Sequence, residues 1–321
     1  AIEVDVDAIS DRETTVVGGI MEHIEEAGVH SGDSACVLPP HSLPPKMIDE
    51  IRAATHKLAT ALQVCGLMNI QYAIKRHGDE FTLYVLEVNP RASRTSPFVS
   101  KATGRSLAKI AAKTMVGVTL KEQGVTAEVW PKHYSVKESV FPFNRFLGVD
   151  IVLGPEMKST GEVMGVGKTF GEAYVKSQLG AGTRLPEKGT VFISVRNSDK
   201  PKAIAVARGL CELGFRLIAT KGTAAVLREQ GITVDVVNKV QDGRPHIVDM
   251  IKNGDIDLVI NTVEEKPNAI ADSRSIRTTT LAQRVTVFTT IAGAWAAVEG
   301  MRAMKALDVY ALQQLHASLV H

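Results

Sequence analysis

From Thr190 to Met304 the sequence alternates short β-branched runs with helical stretches, and this alternation restricts the fold more than any other feature. Thr190–Val195, Phe215–Ala219, Thr233–Val237, Leu258–Asn261 and Val285–Phe288 read as strands, being short and rich in Val, Ile and Phe. Between them, Pro201–Leu213 and Thr223–Gln230 read as helices closed by Gly214 and Gly231, which accept the left-handed backbone of a helix end. Ile247–Lys252, Ser275–Gln283 and Ile291–Met304 continue the helical series. Repeated βα units imply a doubly wound parallel sheet with helices on both faces. Ligands of such sheets bind beyond the carboxyl ends of the strands, which selects Ser194, Thr220-Lys221-Gly222-Thr223 and Asn261-Thr262 as site candidates. Free N–H groups at a helix start, two threonine hydroxyls, and Lys200 and Lys239 on the same rim suit a phosphate. A helix cap flanked by two solvated lysines has the same sequence.

The preceding part of the chain lacks this rhythm. The pattern changes near Leu179–Gly182, and Pro186–Gly189 reads as a linker, which sets expected domains at 1–182 and 183–321. The first domain reads as α+β. Its expected strands are Ile2–Ala8, Thr15–Ile20, Met68–Ile74 and Phe81–Val88, and its expected helices are Pro45–Cys65 and Leu107–Met115. Residues 140–165, rich in Gly, Pro and Phe, read as irregular connections. If Met68–Ile74 and Phe81–Val88 form a hairpin centred near Gly78 and Asp79, Gln71 falls roughly opposite Glu87, and Asn89 shares the face of Glu87 because strand side chains alternate. One carboxylate and two amides gathered in this way offer hard oxygens suited to Mg²⁺ or Mn²⁺ carrying nucleotide phosphates. Arg91 and Arg94 follow at once and can reach the same anion. A solvated polar face on an edge hairpin shares this spacing.

Bulk properties exclude several classes. A net charge of +2 gives no electrostatic case for nucleic acid. No apolar run reaches the length of a membrane span, and the acidic N-terminus is unlike a secretory leader. Cys36, Cys65 and Cys211 are odd in number and widely spaced, as in a cytoplasmic protein with reduced thiols, and no Cys-x-x-Cys pair points to zinc. Gly165-Val166-Gly167-Lys168-Thr169 imitates a P-loop, but Glu162 stands where its first glycine belongs, and no helix-entry glycine loop after a hydrophobic strand is evident. Gly28-Val29-His30-Ser31-Gly32-Asp33-Ser34 can bring backbone N–H groups close to a phosphate, or can be a plain surface turn. His23, His30 and Asp33 are expected to serve hydrogen bonding or substrate contact, not a metal. Ala1 is not an initiator and Ile2–Ala8 already alternates like an internal strand, so the chain is expected to be part of a longer protein.

Gly19 to Glu25, Ser31 to Cys36, Leu86 to Arg91 and Ser159 to Gly165 together closely resemble the carbamoyl phosphate synthase large subunit. The resemblance covers essentially the whole chain and points to the C-terminal part of that subunit. It implies the later portion of an ATP-grasp lobe followed by a methylglyoxal-synthase-like α/β regulatory domain. It further implies ATP-dependent phosphorylation of carbamate, serving pyrimidine and arginine biosynthesis. By the same resemblance Gln71, Glu87 and Asn89 are divalent-metal ligands, and Glu3, Gly28, Val29, His30 and Ser31 contact the nucleotide, with Gln71 and Glu87 reaching it through the metal. Arg91 is implied near the transferred phosphoryl group, and potassium is an additional candidate ion. Glu25, Asp33, Glu138 and Thr289 are implied to hold the activator ornithine. Lys200, Thr220, Thr223, Lys239 and Asn261 are implied to contact UMP or IMP. A glutaminase small subunit is the implied partner, with a homo-oligomer as a candidate assembly. Val263, in place of a hydroxyl residue, and Val287, in place of an aromatic, depart from the better-known pattern and bear on effector identity. Because an ATP-grasp site closes two lobes over its nucleotide, the chain alone is expected to be catalytically inert. A different ATP-grasp ligase, a free-standing nucleotide sensor and a methylglyoxal synthase are the competing readings.

Overall fold

Alternation along the first strand sets the architecture of the N-terminal half. In the computed structural model, which describes residues 1–78, 80–146, 148–262 and 267–319, the chain begins with β1 (Ile2–Asp11). Val4, Val6 and Ala8 on one face of β1 are buried among apolar side chains, while Glu3, Asp5 and Asp7 occupy the other face. There follow β2 (Thr15–Glu26), β3 (Cys36–Leu38), α1 (Pro45–Ala61), β4 (Cys65–His77), β5 (Glu80–Asn89), α2 (Ser96–Thr103), α3 (Leu107–Met115), β6 (Tyr134–Val140), β7 (Gly161–Gly167) and α4 (Phe170–Gly180). The strands form an antiparallel sheet in the order β5-β4-β1-β2-β3-β6-β7. Helix α1 covers the apolar face through Met47, Ile48 and Ile51, at the three- and four-residue spacing of one helix face. Full burial of Ile51 contributes about 2 kcal/mol. The buried Tyr72 hydroxyl is satisfied by Thr55 Oγ1 at 2.9 Å.

Residues 140–165 are more regular than their composition predicts, because β7 runs through Gly161–Gly167 and leads into α4. The glycines serve packing, not phosphate. A Cβ on Gly165 would fall on the Ala173 carbonyl oxygen and the Ser177 nitrogen, so α4 lies directly on the strand. Thr169 caps α4, its Oγ1 accepting from Glu172 N at 3.2 Å, and the Lys168 N–H donates to Glu172 Oε2 at 2.8 Å. The Lys168 and Glu172 N–H groups at this helix start are therefore already engaged.

The second half contains β8 (Thr190–Ser194), α5 (Lys200–Glu212), β9 (Arg216–Thr220), α6 (Lys221–Glu229), β10 (Asp235–Val237), α7 (Ile247–Asn253), β11 (Leu258–Asn261), α8 (Pro267–Ala282), β12 (Thr286–Phe288), α9 (Ile291–Ala303) and α10 (Leu312–Ala317). Its strands are all parallel, in the order β10-β9-β8-β11-β12. Chain direction around the sheet reverses at β8, which makes the edge beyond β8 and β11 the switch point of a doubly wound sheet. Helix α8 starts at Pro267, earlier than expected: the first helical turn tolerates proline, whereas Pro and the polar residues after it read as loop.

The two sheets share one core. Ile24, Val37, Val136 and Tyr174 from the first half pack with Val191, Ile193 and Val298 from the second, and α4 lies against α9. Beyond α9 the chain returns to the first half. The Asp308 N–H and the Tyr310 hydroxyl donate to Glu172, and His316 Nε2 lies 2.6 Å from the Lys101 carbonyl oxygen.

Candidate functional site

Register places two polar rungs across three neighbouring strands of the first sheet. Asp5 on β1 pairs with Gln71 on β4, which pairs with Glu87 on β5. Two residues away, Asp7 pairs with Asn69 and Asn69 with Asn89. Paired residues project from the same face, so the six side chains stand together, on the face opposite Val6, Ile70 and Val88. A β-bulge at Leu86, between the Gln71–Glu87 and Tyr72–Val85 pairs, restores this alignment; without it the rest of β5 would fall out of phase.

Five of the six, Asp5, Asn69, Gln71, Glu87 and Asn89, line a cavity of about 470 Å³ together with His30, Ser31, Arg91, Arg94, Lys137 and Ser159, while Asp7 lies behind them. Ser31 Oγ accepts from Gln71 Nε2 at 3.3 Å, and Lys137, fully buried, donates from Nζ to the Ser31 carbonyl at 3.1 Å. Arg91 is exposed after a tight turn in which its N–H bonds to the Asn89 carbonyl at 2.8 Å, and Arg94 reaches Met157 across the mouth. Of the residues expected at a nucleotide, the cavity gathers His30, Ser31, Gln71, Glu87, Asn89 and Arg91. Glu3, Gly28 and Val29 lie beyond its walls: the Glu3 carboxylate accepts from the Gly28 N–H and sits 3.6 Å from His23 Nδ1. Gly28 has φ +104°, a conformation that favours glycine.

Asp5, Asn69 and Lys137 are wall residues that sequence reasoning overlooked. The signal was the acidic face of β1, Glu3-x-Asp5-x-Asp7, inside a strand whose other face is buried. Asp5 Oδ2 lies 3.0 Å from His23 Nε2, while Asp5 Oδ1 is buried without a hydrogen-bond partner among the described residues. Burial pulls the His23 pKa down, but Cys36 and Asp5 beside the ring outweigh it and hold that pKa well above the ordinary value. Asp7 is shifted to about 6, because burial outweighs donation from Ser93, Asn69 and Thr95. Among the described residues no three His, Cys, Asp or Glu side chains cluster as metal ligands. The donor set is one exposed carboxylate, two amides and an orphaned carboxylate oxygen behind them. It fits a hard divalent ion, which takes oxygen ligands and retains water.

Glu25 and Glu138 form a second, acidic locus between the sheets. Glu25 accepts from Ser34 Oγ at 2.8 Å and the Ala35 N–H at 2.7 Å, and Glu138 accepts from Gln178 Nε2 at 2.7 Å. Burial raises both carboxyl pKa values, and repulsion from Glu25 raises that of Glu138 further. Burial and the same two acids push the Tyr174 hydroxyl well above its usual value. A cation placed between them would favour the ionised form of both acids. Asp33 is differently employed: its two oxygens accept the Lys158 and Ser159 N–H groups at 2.7 and 2.9 Å, fixing that loop. Thr289 lies just past β12, beside Thr290, which caps α9.

A third locus, of about 200 Å³, opens at the switch point of the second sheet. Lys200, Thr220, Thr223 and Lys239 line it, with Ser194, Arg196 and Thr262. Asn261 stands behind this wall, fully buried, donating from Nδ2 to the Ser194 carbonyl at 3.2 Å. Val263 lies outside the described residues. Val287, on β12, pairs with Val259 and is half-buried.

Residues 1–123 match the family model described as carbamoyl-phosphate synthase L chain, ATP binding domain, and residues 202–289 match that of the MGS-like domain. The carbamoyl phosphate synthase large chain of Ralstonia nicotianae is 66% identical over 319 residues, covering 99% of this chain and 30% of the relative. That of Pasteurella multocida is 57% identical over 320 residues, covering 100% of this chain and 30% of the relative. The chain thus spans about 30% of the length of the curated relatives it matches. No helix among the described residues is long and apolar enough to cross a membrane.

Proposed function

Because the chain belongs to the carbamoyl phosphate synthase large-chain family, we propose that residues 1–182 form one wall of the site that phosphorylates carbamate with ATP, and residues 183–321 an effector-binding domain. The observation that carries this reading is the pair of rungs Asp5–Gln71–Glu87 and Asp7–Asn69–Asn89, which place hard oxygens beside two arginines.

Gln71, Glu87 and Asn89 would hold Mg²⁺ or Mn²⁺, with Asp5 lending negative charge from behind; the bound ion would neutralise charge on the phosphate oxygens. Arg91 and Arg94 stand at the mouth, where guanidinium groups can take up the charge of a transferring phosphoryl group. Lys137 fixes the Ser31 carbonyl and so the nucleotide-facing turn His30-Ser31. In the complete large chain, Arg91→Ala is expected to lower ATP formation from carbamoyl phosphate and ADP by about a hundredfold or more. Undiminished ATP formation would sink the reading. The 321-residue chain by itself is expected to bind ADP with Mn²⁺ yet form no ATP, since one wall cannot enclose the phosphates.

Support for the effector role comes from the other two loci. The acidic pair Glu25 and Glu138 suits the ammonium of ornithine, and the cavity of Lys200, Thr220, Thr223 and Lys239 suits the phosphate of UMP or IMP. Potassium near the acidic strands, and a glutaminase small subunit supplying ammonia to the complete enzyme, complete the proposal.

A further inference from the structure

We propose that Arg277 is a positioning residue through which the anion cavity of the second sheet is coupled to the metal-site wall of the first, by way of Asp150 and residues 150–159. The inference rests on reading those two cavities as an effector site and a metal–nucleotide site.

The Arg277 side chain is 2% exposed although it carries a permanent charge. Its guanidinium is held in a fork: Nε donates to Asp150 Oδ1 at 2.7 Å, Nη2 to Asp150 Oδ2 at 2.6 Å, and Nη1 to Asn261 Oδ1 at 3.2 Å. Such a pair has two geometric requirements, a fixed carboxylate and a fixed guanidinium, so a shift of either partner is transmitted to the other. The partners belong to different halves of the molecule.

Helix α8 has two working faces. Asp272, Ser273 and Ile276 line the anion cavity. Arg277, together with Arg274, whose Nη2 lies 3.5 Å from the Gly148 carbonyl, grips the connection that follows β6. Asn261 ties the same guanidinium to the Ser194 carbonyl at the cavity edge. An anion that immobilises the cavity-facing side of α8 therefore also immobilises Arg277.

From Asp150 the connection continues directly to the metal cavity. The Val152 carbonyl accepts from Lys158 Nζ at 2.8 Å, and the Gly154 carbonyl accepts from the His30 N–H at 2.8 Å. The Lys158 and Ser159 N–H groups end on Asp33, and Met157 and Ser159 form part of the metal-cavity wall. One continuous set of hydrogen bonds thus runs from Ser194 to Ser159. A mere staple between the halves would hold this loop equally with or without an anion; a coupling element makes its protection depend on the anion.

Amide hydrogen exchange on the full 321-residue chain, with UMP binding followed in parallel by calorimetry, separates these possibilities. Saturating UMP is expected to slow exchange at the Lys158 and Ser159 amides by about fivefold or more in the unmodified chain. In Asp150→Asn, whose side-chain position is 31% exposed, UMP should bind within about threefold of the unmodified affinity while the exchange ratio falls to about one. Arg277→Lys, which keeps the charge and loses the fork, should lose the ratio likewise. An undiminished ratio in both variants, or UMP binding to the unmodified chain without any change at 158 and 159, overturns the coupling. If UMP does not bind, the nucleotide reading has failed by itself, and inorganic phosphate takes its place in the same measurement with the same two outcomes. A chain that binds neither overturns the coupling as well.

Discussion

At the scale of the residue, Asp7 shows what it costs to place acids inside a strand. It is 1% exposed, and its carboxyl is shifted to about 6 from an ordinary 3.8 because burial outweighs three donors. The folded chain therefore holds a proton here more tightly than the unfolded chain does. The stability this proton confers is complete below about pH 4 and is lost as pH rises through about 6, an effect of up to about 3 kcal/mol. Urea unfolding across that window should show the loss, and Asp7→Asn, which can still accept from Asn69, should flatten the slope. An equal slope in the variant would assign the dependence to other groups. The same residue illustrates the limit of reading by type. Gln71, Glu87 and Asn89 were legible as a group because a turn separates two strand-like runs, although their exact alignment needs the bulge at Leu86. Asp5, Asn69 and Lys137 were not, since their role depends on which strands become neighbours: β4 lies beside β1 and not beside the strand before it in sequence.

At the scale of the element, local composition served the parallel strands and failed β7. Short β-branched runs such as Leu258–Asn261 are buried on both faces and advertise themselves. Gly161–Gly167 resembles a loop because its glycines make room for a helix that begins only at Phe170. That close approach predicts a sharp contrast. Gly165→Ala should destabilise the chain by about 2 kcal/mol or more, since the added Cβ meets the backbone of α4 and not a movable side chain. Gly161→Ala, with open space around its Cβ and no left-handed φ, should change the denaturation midpoint little. Equal effects would show that α4 can move off the sheet. The bulge at Leu86 was likewise invisible, because an extra residue in one strand is specified only by its partner.

At the scale of the molecule, the linker read near Pro186–Gly189 separates two sheet types that keep apolar clusters of their own and share one more between them. Tyr174, Val136 and Ile24 pack with Val191 and Val298, so each half buries part of its apolar surface against the other, beside clusters that lie within one half. The chain should accordingly unfold in one transition. Its two tryptophans, Trp130 and Trp295, lie in different halves and report on each. Single-tryptophan variants should give coincident midpoints in guanidinium, whereas separated midpoints would mean that the shared core contributes little. The same union brings the proposed metal wall, the acidic locus and the proposed anion cavity into one framework, and the first of these is the part on which the proposed chemistry depends. Mn²⁺ bound by the chain in the presence of ADP, followed by electron paramagnetic resonance, tests it most directly. Replacing Glu87 with Gln removes the charged ligand and spares the backbone, so Mn²⁺ affinity should fall by about tenfold or more. Equal Mn²⁺ binding by the unmodified and variant chains would contradict the assignment of this wall to a metal–nucleotide site.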